Sequence, residues 1–203
     1  DLNEGTPPPD VAERTWTGLG DIRLKALYTG LQDDLSTGFS VGVKLPTGRI
    51  TANEAVVDRD TQIGTGSTDL LFGAFHRGNF SETSEWHWFA QMEADLPVLI
   101  QDDYRPGPEL DGAVGLYYSG WKVGRVHVSP VGQLIGALRA SDGGQNAAAG
   151  DSGYQRLLVS PGVEFKMHPF RLYTDIEVPV LENVNGNQLT SPFLLKVSLS
   201  YMF

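Results

Sequence analysis

The stretch that most restricts the fold is the last eleven residues, Phe193-Leu-Leu-Lys-Val-Ser-Leu-Ser-Tyr-Met-Phe203. In an extended chain Phe193, Leu195, Val197, Leu199, Tyr201 and Phe203 share one face, while Lys196, Ser198 and Ser200 share the other. Leu194 and Met202 are apolar intruders near its ends. A strand of this kind needs an apolar surround on one side only.

The same period recurs along the chain. Residues 18–31 alternate Ile22, Leu24, Ala26 and Tyr28 with Asp21, Arg23 and Lys25. Phe39, Val41, Val43 and Leu45 oppose Ser40, Gly42 and Lys44, and Pro46-Thr-Gly48 ends that strand. Residues 68–77 carry a weaker pattern in which Leu71, Gly73 and Phe75 share a face. From Trp86, Trp88, Ala90, Met92, Ala94 and Leu96 alternate with His87, Phe89, Gln91, Glu93 and Asp95. A strand over 110–120 is expected to turn near Ser119-Gly120 into a long strand over 121–139, where Pro130 and Gly132 suggest a bulge or break. Leu157, Val159, Pro161, Val163, Phe165 and Met167 oppose Arg156, Ser160, Glu164 and Lys166. After a tight turn at His168-Pro169, Phe170, Leu172, Thr174, Ile176, Val178 and Val180 oppose Arg171, Tyr173, Asp175 and Glu177.

The expected fold is therefore all-β: a transmembrane antiparallel up-and-down barrel with about nine strands in this chain and roughly ten to twelve in the intact protein. Residues 1–17, with three consecutive prolines, read as an irregular arm or external loop, and 18–203 as the barrel. Short turns near 32, 80, 120 and 168 alternate with longer stretches at 46–67, 97–109, 139–153 and 181–191. The stretch 141–153, small and polar, is expected to be mobile. Alternation of short turns and long loops is the habit of transmembrane barrels. No run approaches the roughly 18 apolar residues of a membrane-spanning helix. That is ordinary for barrels, whose strands alternate.

Closing on Tyr201 and Phe203, the terminal strand resembles the C-terminal strand of bacterial outer-membrane β-barrels, in which the final aromatic is read by the assembly machinery. Three short motifs, Gly18-Leu-Gly-Asp21, Leu45-Pro-Thr-Gly48 and Gly64-Thr-Gly-Ser-Thr-Asp69, narrow the resemblance. With Val184-Asn-Gly-Asn-Gln-Leu189 they look like outer-membrane barrels of the transporter or MetA-pathway-of-phenol-degradation type. The resemblance implies a bacterial outer-membrane location, partners in membrane lipid, lipopolysaccharide and the assembly machinery, and further strands ahead of Gly18. An odd strand count points the same way, because single-chain bacterial barrels have an even number.

A net charge of −10 argues against nucleic acid, whose phosphates demand a basic surface. Charges on the polar faces cost up to about 2–4 kcal/mol each against lipid, so they are expected to line the lumen. The candidates are Asp21, Arg23, Lys25, Lys44, Gln91, Glu93, Asp95, Arg156, Glu164, Lys166, Arg171, Tyr173, Asp175, Glu177 and Lys196. Trp86, Trp88, Tyr201 and Phe203 are expected in an interfacial aromatic girdle. The expected function is passage of small solutes, with neither cofactor nor metal and no enzymatic activity. The acidic loop residues Asp58, Asp60, Asp102 and Asp103 read as solvated.

The rivals are a scaffold barrel with a filled lumen, a lipid-modifying hydrolase and a soluble β-sandwich. For the hydrolase, His127 and Ser129 share a strand face, but no acid can be assigned to them. Glu93, Asp95, Asp175 and Glu177 invite a cation, yet pairing with Arg23, Lys166 or Arg171 is the simpler reading.

Overall fold

The computed structural model describes residues 17–50, 62–188 and 190–202. The N-terminal arm over 1–16, Asp58, Asp60 and Phe203 lie outside the described residues. Ten strands form one antiparallel sheet: β1 (Ile22–Tyr28), β2 (Thr37–Leu45), β3 (Ser67–Asn79), β4 (Trp86–Ile100), β5 (Glu109–Tyr118), β6 (Trp121–Val123), β7 (Val126–Arg139), β8 (Tyr154–Met167), β9 (Phe170–Val184) and β10 (Leu194–Tyr201). Among the described residues the only helix is a three-residue 3-10 turn, Ala149–Asp151.

Neighbours in sequence are neighbours in space, and β6 continues the line of β5 against β7. The sheet thus has nine successive positions, is curled into a half-barrel, and is open between β1 and β10. Every residue of both edge strands is exposed. With nine antiparallel positions, β1 and β10 run in the same direction. Closing the gap by antiparallel pairing throughout therefore requires an odd number of intervening strands.

The expected turn at Ser119-Gly120 is displaced. Tyr117 pairs with Val131 and Trp121 with Val128, leaving Tyr118, Ser119 and Gly120 opposite only Ser129 and Pro130. This is a bulge, placed where Pro130 has no N–H to offer a ladder. The chain actually reverses at Gly124-Arg125, where Gly124 has φ of +61° and suits the first central position of a tight hairpin.

Register assigns every face. Leu24–Val43–Leu70–Leu96 and Ala26–Val41–Phe72–Ala94–Leu110–Leu138 are rows across successive strands, all on the convex side. The weak pattern of β3 resolves in the opposite sense: Leu71, Gly73 and Phe75 do share a face, but it is the concave one, together with Asp69. Its convex residues are Leu70, Phe72, Ala74 and His76.

Burial is inverted relative to a water-soluble sheet. Among the described residues, Ser36, Lys44, Ser67, Asp69, Asp142, Ser152, Ser160 and Asp175 are buried, against five apolar residues: Leu71, Tyr104, Ala113, Ala137 and Leu158. Large apolar side chains such as Phe39, Phe72, Met92, Val114, Ile176 and Leu199 stand exposed on the convex side. Contiguous exposed apolar surface on this scale marks contact with lipid or protein rather than water.

Candidate functional site

The concave face gathers the polar halves of the alternating strands. Register puts Arg23 and Lys25 of β1, Lys44 of β2, Gln91, Glu93 and Asp95 of β4, Arg156, Glu164 and Lys166 of β8, Arg171, Tyr173, Asp175 and Glu177 of β9, and Lys196 of β10 on this one side. All of these except Arg23, Lys44, Asp95 and Asp175 border a cavity of about 1190 Å³, whose wall runs from Lys25 at one edge to Ser198 at the other.

Ion pairs cross this space. Arg23 Nη2 lies 3.1 Å from Asp95 Oδ2 and Lys25 Nζ 2.7 Å from Glu93 Oε2, joining β1 to β4 over two intervening strands. A flat sheet would separate such strands by about 14 Å, so these contacts depend on its curl. On the other side Lys196 lies 2.8 Å from Glu177, Arg171 3.6 Å from Glu164, and Arg156 2.7 Å from Glu182 while also lying over the Tyr154 ring.

Two groups are shielded from water. Lys44 pairs with Asp69, both side chains being at most 5% exposed. Asp175 accepts hydrogen bonds on Oδ2 from Gln133 Nε2 at 2.9 Å and Ser160 Oγ at 2.6 Å, and Gln133 also donates to Tyr173. Asp69, Gln133, Ser160 and the cavity-lining Asp111 were not among the candidates. The sequence conceals Asp69 and Asp111 because neither β3 nor β5 sets a charged face cleanly against an apolar one; register with Lys44 and Glu93 assigns both.

Asp21 is placed elsewhere. It sits just ahead of β1 and accepts hydrogen bonds from Gly48 N–H (2.9 Å), Thr65 N–H (2.9 Å) and Thr65 Oγ1 (2.7 Å). Thr47 Oγ1 donates to Gly20 O and accepts from Ile22 N–H. The three sequence motifs therefore meet in one clasp at the long-loop end. A Cβ on Gly64 would come within 2.4 Å of the Gly48 carbonyl oxygen, so the two loops approach as only glycine permits. Partial burial pushes the Asp21 carboxyl upward, but the Thr65 and Gly48 hydrogen bonds and nearby Lys44 outweigh it and hold the pKa below the ordinary value of 3.8.

The long loops all emerge at this end, and the short turns at the other. The stretch 141–153 is tied down rather than mobile. Asp142 accepts from Tyr104 Oη (2.6 Å), Gly107 N–H (2.7 Å) and Arg139 (2.7 Å), while its own N–H donates to Ser152 Oγ. Asn187 N–H donates to Asp151, which brings the loop before β10 into the same assembly.

At the short-turn end aromatic rings cluster on the convex face: Trp86 against Tyr118 at 5.2 Å, Tyr118 against Trp121 at 5.8 Å, and Phe170 against Tyr201 at 5.4 Å between centroids. Trp88, half-buried, packs edge-on against His76. His127 and Ser129 both line the cavity, with no hydrogen bond between them among the described residues. Glu93, Asp95, Asp175 and Glu177 are taken up by Lys25, Arg23, the Gln133–Ser160 pair and Lys196 respectively.

No protein-family model, curated protein or solved structure matches this chain.

Proposed function

We propose that this chain forms most of an outer-membrane β-barrel through which small polar solutes pass. The observation that carries the reading is the inversion of the sheet, with an apolar convex face and a charged concave face enclosing a cavity of about 1190 Å³. An apolar face of that extent suits hydrocarbon, while a wall carrying both Lys25 and Glu93, and both Lys196 and Glu177, suits water and solutes of either sign. The aromatic cluster around Trp86, Tyr118, Trp121 and Tyr201 fits an interfacial belt at the short-turn end, which would then be periplasmic. The clasp formed by the three motifs is consistent with the transporter-type barrels they resemble. It is a structural feature.

Refolded protein in planar bilayers is expected to give discrete conductance steps and to migrate differently on denaturing gels with and without heating. Heat-modifiable protein that never conducts would sink passage and leave a sealed scaffold. The crossing pairs Arg23–Asp95 and Lys25–Glu93 are the feature that would then favour the scaffold, because they already bridge one side of the interior.

A further inference from the structure

Asn79, His87 and Tyr117 are register partners on β3, β4 and β5, so they occupy one level of the concave face near the short-turn rim. Ser119 follows Tyr117 by two residues, and the β4–β5 ladder continues to it through Ser119 N–H donating to the Glu85 oxygen, so it lies diagonally beside His87 on the same face. The His87 ring is stacked on Tyr117 at 4.6 Å between centroids with planes 17° apart. Its Nδ1 lies 2.6 Å from Asn79 Oδ1 and its Nε2 2.8 Å from Ser119 Oγ.

We propose that Ser119, His87 and Asn79 are a nucleophilic triad that hydrolyses acyl esters entering the cavity. A carbonyl oxygen can only accept, so Asn79 Oδ1 requires the proton on Nδ1. In the neutral ring Nε2 is then the acceptor, and it faces the serine hydroxyl. This is the relation a serine nucleophile needs: a base within hydrogen-bond reach, itself held in one tautomer by a third group. The Ser119 hydroxyl can also donate to Glu85 Oε2 (3.0 Å) and to the Glu85 backbone oxygen (3.3 Å), so its one proton has three acceptors in reach, of which His87 Nε2 is the nearest; the Glu85 backbone oxygen accepts from Ser119 N–H as well, at 2.9 Å.

In the reaction, Ser119 Oγ bonds to the ester carbonyl carbon and its proton passes to His87 Nε2. The C–O bond to the alcohol then breaks, and the departing oxygen takes that proton. Water, deprotonated by the same nitrogen, attacks the acyl-serine, releasing the carboxylic acid and restoring Ser119. No electrons are exchanged with an outside donor. Phe89, Phe75, Val131 and Ile135 form an apolar stretch of cavity wall beside and below the triad, suited to the acyl chain. The side chains face the cavity rather than the convex surface, so the favoured substrate is a short-chain, water-soluble ester and not a lipid held in the bilayer.

The test uses the whole chain refolded in detergent micelles, with p-nitrophenyl butyrate as substrate and a fluorophosphonate as active-site label. Wild-type protein is expected to turn over the ester and to take the label at Ser119, located by peptide mass spectrometry. Ser119→Ala and His87→Ala are each expected to lose at least about 100-fold in kcat/KM. Asn79 is a positioning residue: N79D should move the acidic limb of the pH–rate profile upward by stabilising the charged ring, a change that mere loss of folding would not produce. Wild-type protein that is heat-modifiable, yet neither turns over the ester nor takes the label, overturns the triad. Labelling of Ser119 at an undiminished rate in H87A overturns it equally.

Discussion

Lys44 is the cation nearest to being indispensable in this sheet. Its ammonium is matched to Asp69 in a pair almost without access to water, and the Asp69 carboxyl also lies against that of Asp95. Removing the lysine strands a buried carboxylate, a loss that typically costs about 3–5 kcal/mol. Lys44→Met should therefore lower the urea midpoint of the refolded protein markedly, while K44M combined with D69L should recover much of it. Asp21 yields a different kind of prediction. Its pKa is depressed in the folded state, so its stabilising hydrogen bonds are fully present above the ordinary aspartate value of 3.8 and fade as pH falls through the lower folded value. Hydrogen-exchange protection factors at the Gly48 and Thr65 amides should fall across that acidic window. In D21N they should be low and indifferent to it.

Among the elements, what could be read in advance depended on contrast between faces. β1, β2, β4, β8, β9 and β10 each set apolar against charged residues, and the register keeps those sets on opposite faces except at Val180, which a bulge opposite Leu157 and Leu158 leaves without a partner. On β3 the concave face holds Leu71 and Phe75, so both faces are apolar and period two loses its meaning. Ser119-Gly120 has turn composition but serves as a bulge, because a proline on the partner strand decides where the ladder breaks. The composition of the loop over 141–153, small and polar, suggests mobility and does not disclose that Asp142 near its start is buried. Nor could the 2.8 Å contact of His87 with Ser119 be foreseen, since it depends on the β4–β5 register. Asp142→Ala removes the acceptor for Tyr104, Gly107 and Arg139 together. Hydrogen bonds to a charged group contribute about 1.5–3 kcal/mol each, so local opening should become at least tenfold more frequent. Limited proteolysis checks this: cleavage within 101–108 and 140–153 should accelerate, with the strands left intact.

For the molecule as a whole, inversion and openness belong together. A sheet with lysines and aspartates inside and phenylalanines outside is unstable in water, whereas in a bilayer the convex face is matched and only the backbone edges of β1 and β10 still lack partners. Hydrocarbon offers no hydrogen bonds, so the membrane reading demands that those edges be paired. Because the edges run in the same direction, two copies inserted with the same orientation would meet edge to edge in parallel; an odd number of added strands permits the antiparallel closure of barrels. The two faces can be tested separately. Val178 lies near the middle of β9 and points outward, while Gln91 lies near the middle of β4 and lines the cavity. If the convex face meets hydrocarbon, an arginine there should cost about 2–4 kcal/mol of folding free energy in vesicles. Val178→Arg should then lose most of its folded, heat-modifiable fraction, while Gln91→Arg, beside Glu93 and in contact with water, should fold as the parent does. Equal tolerance of both substitutions would mean that the convex face meets something other than hydrocarbon, and the membrane reading would fall with it.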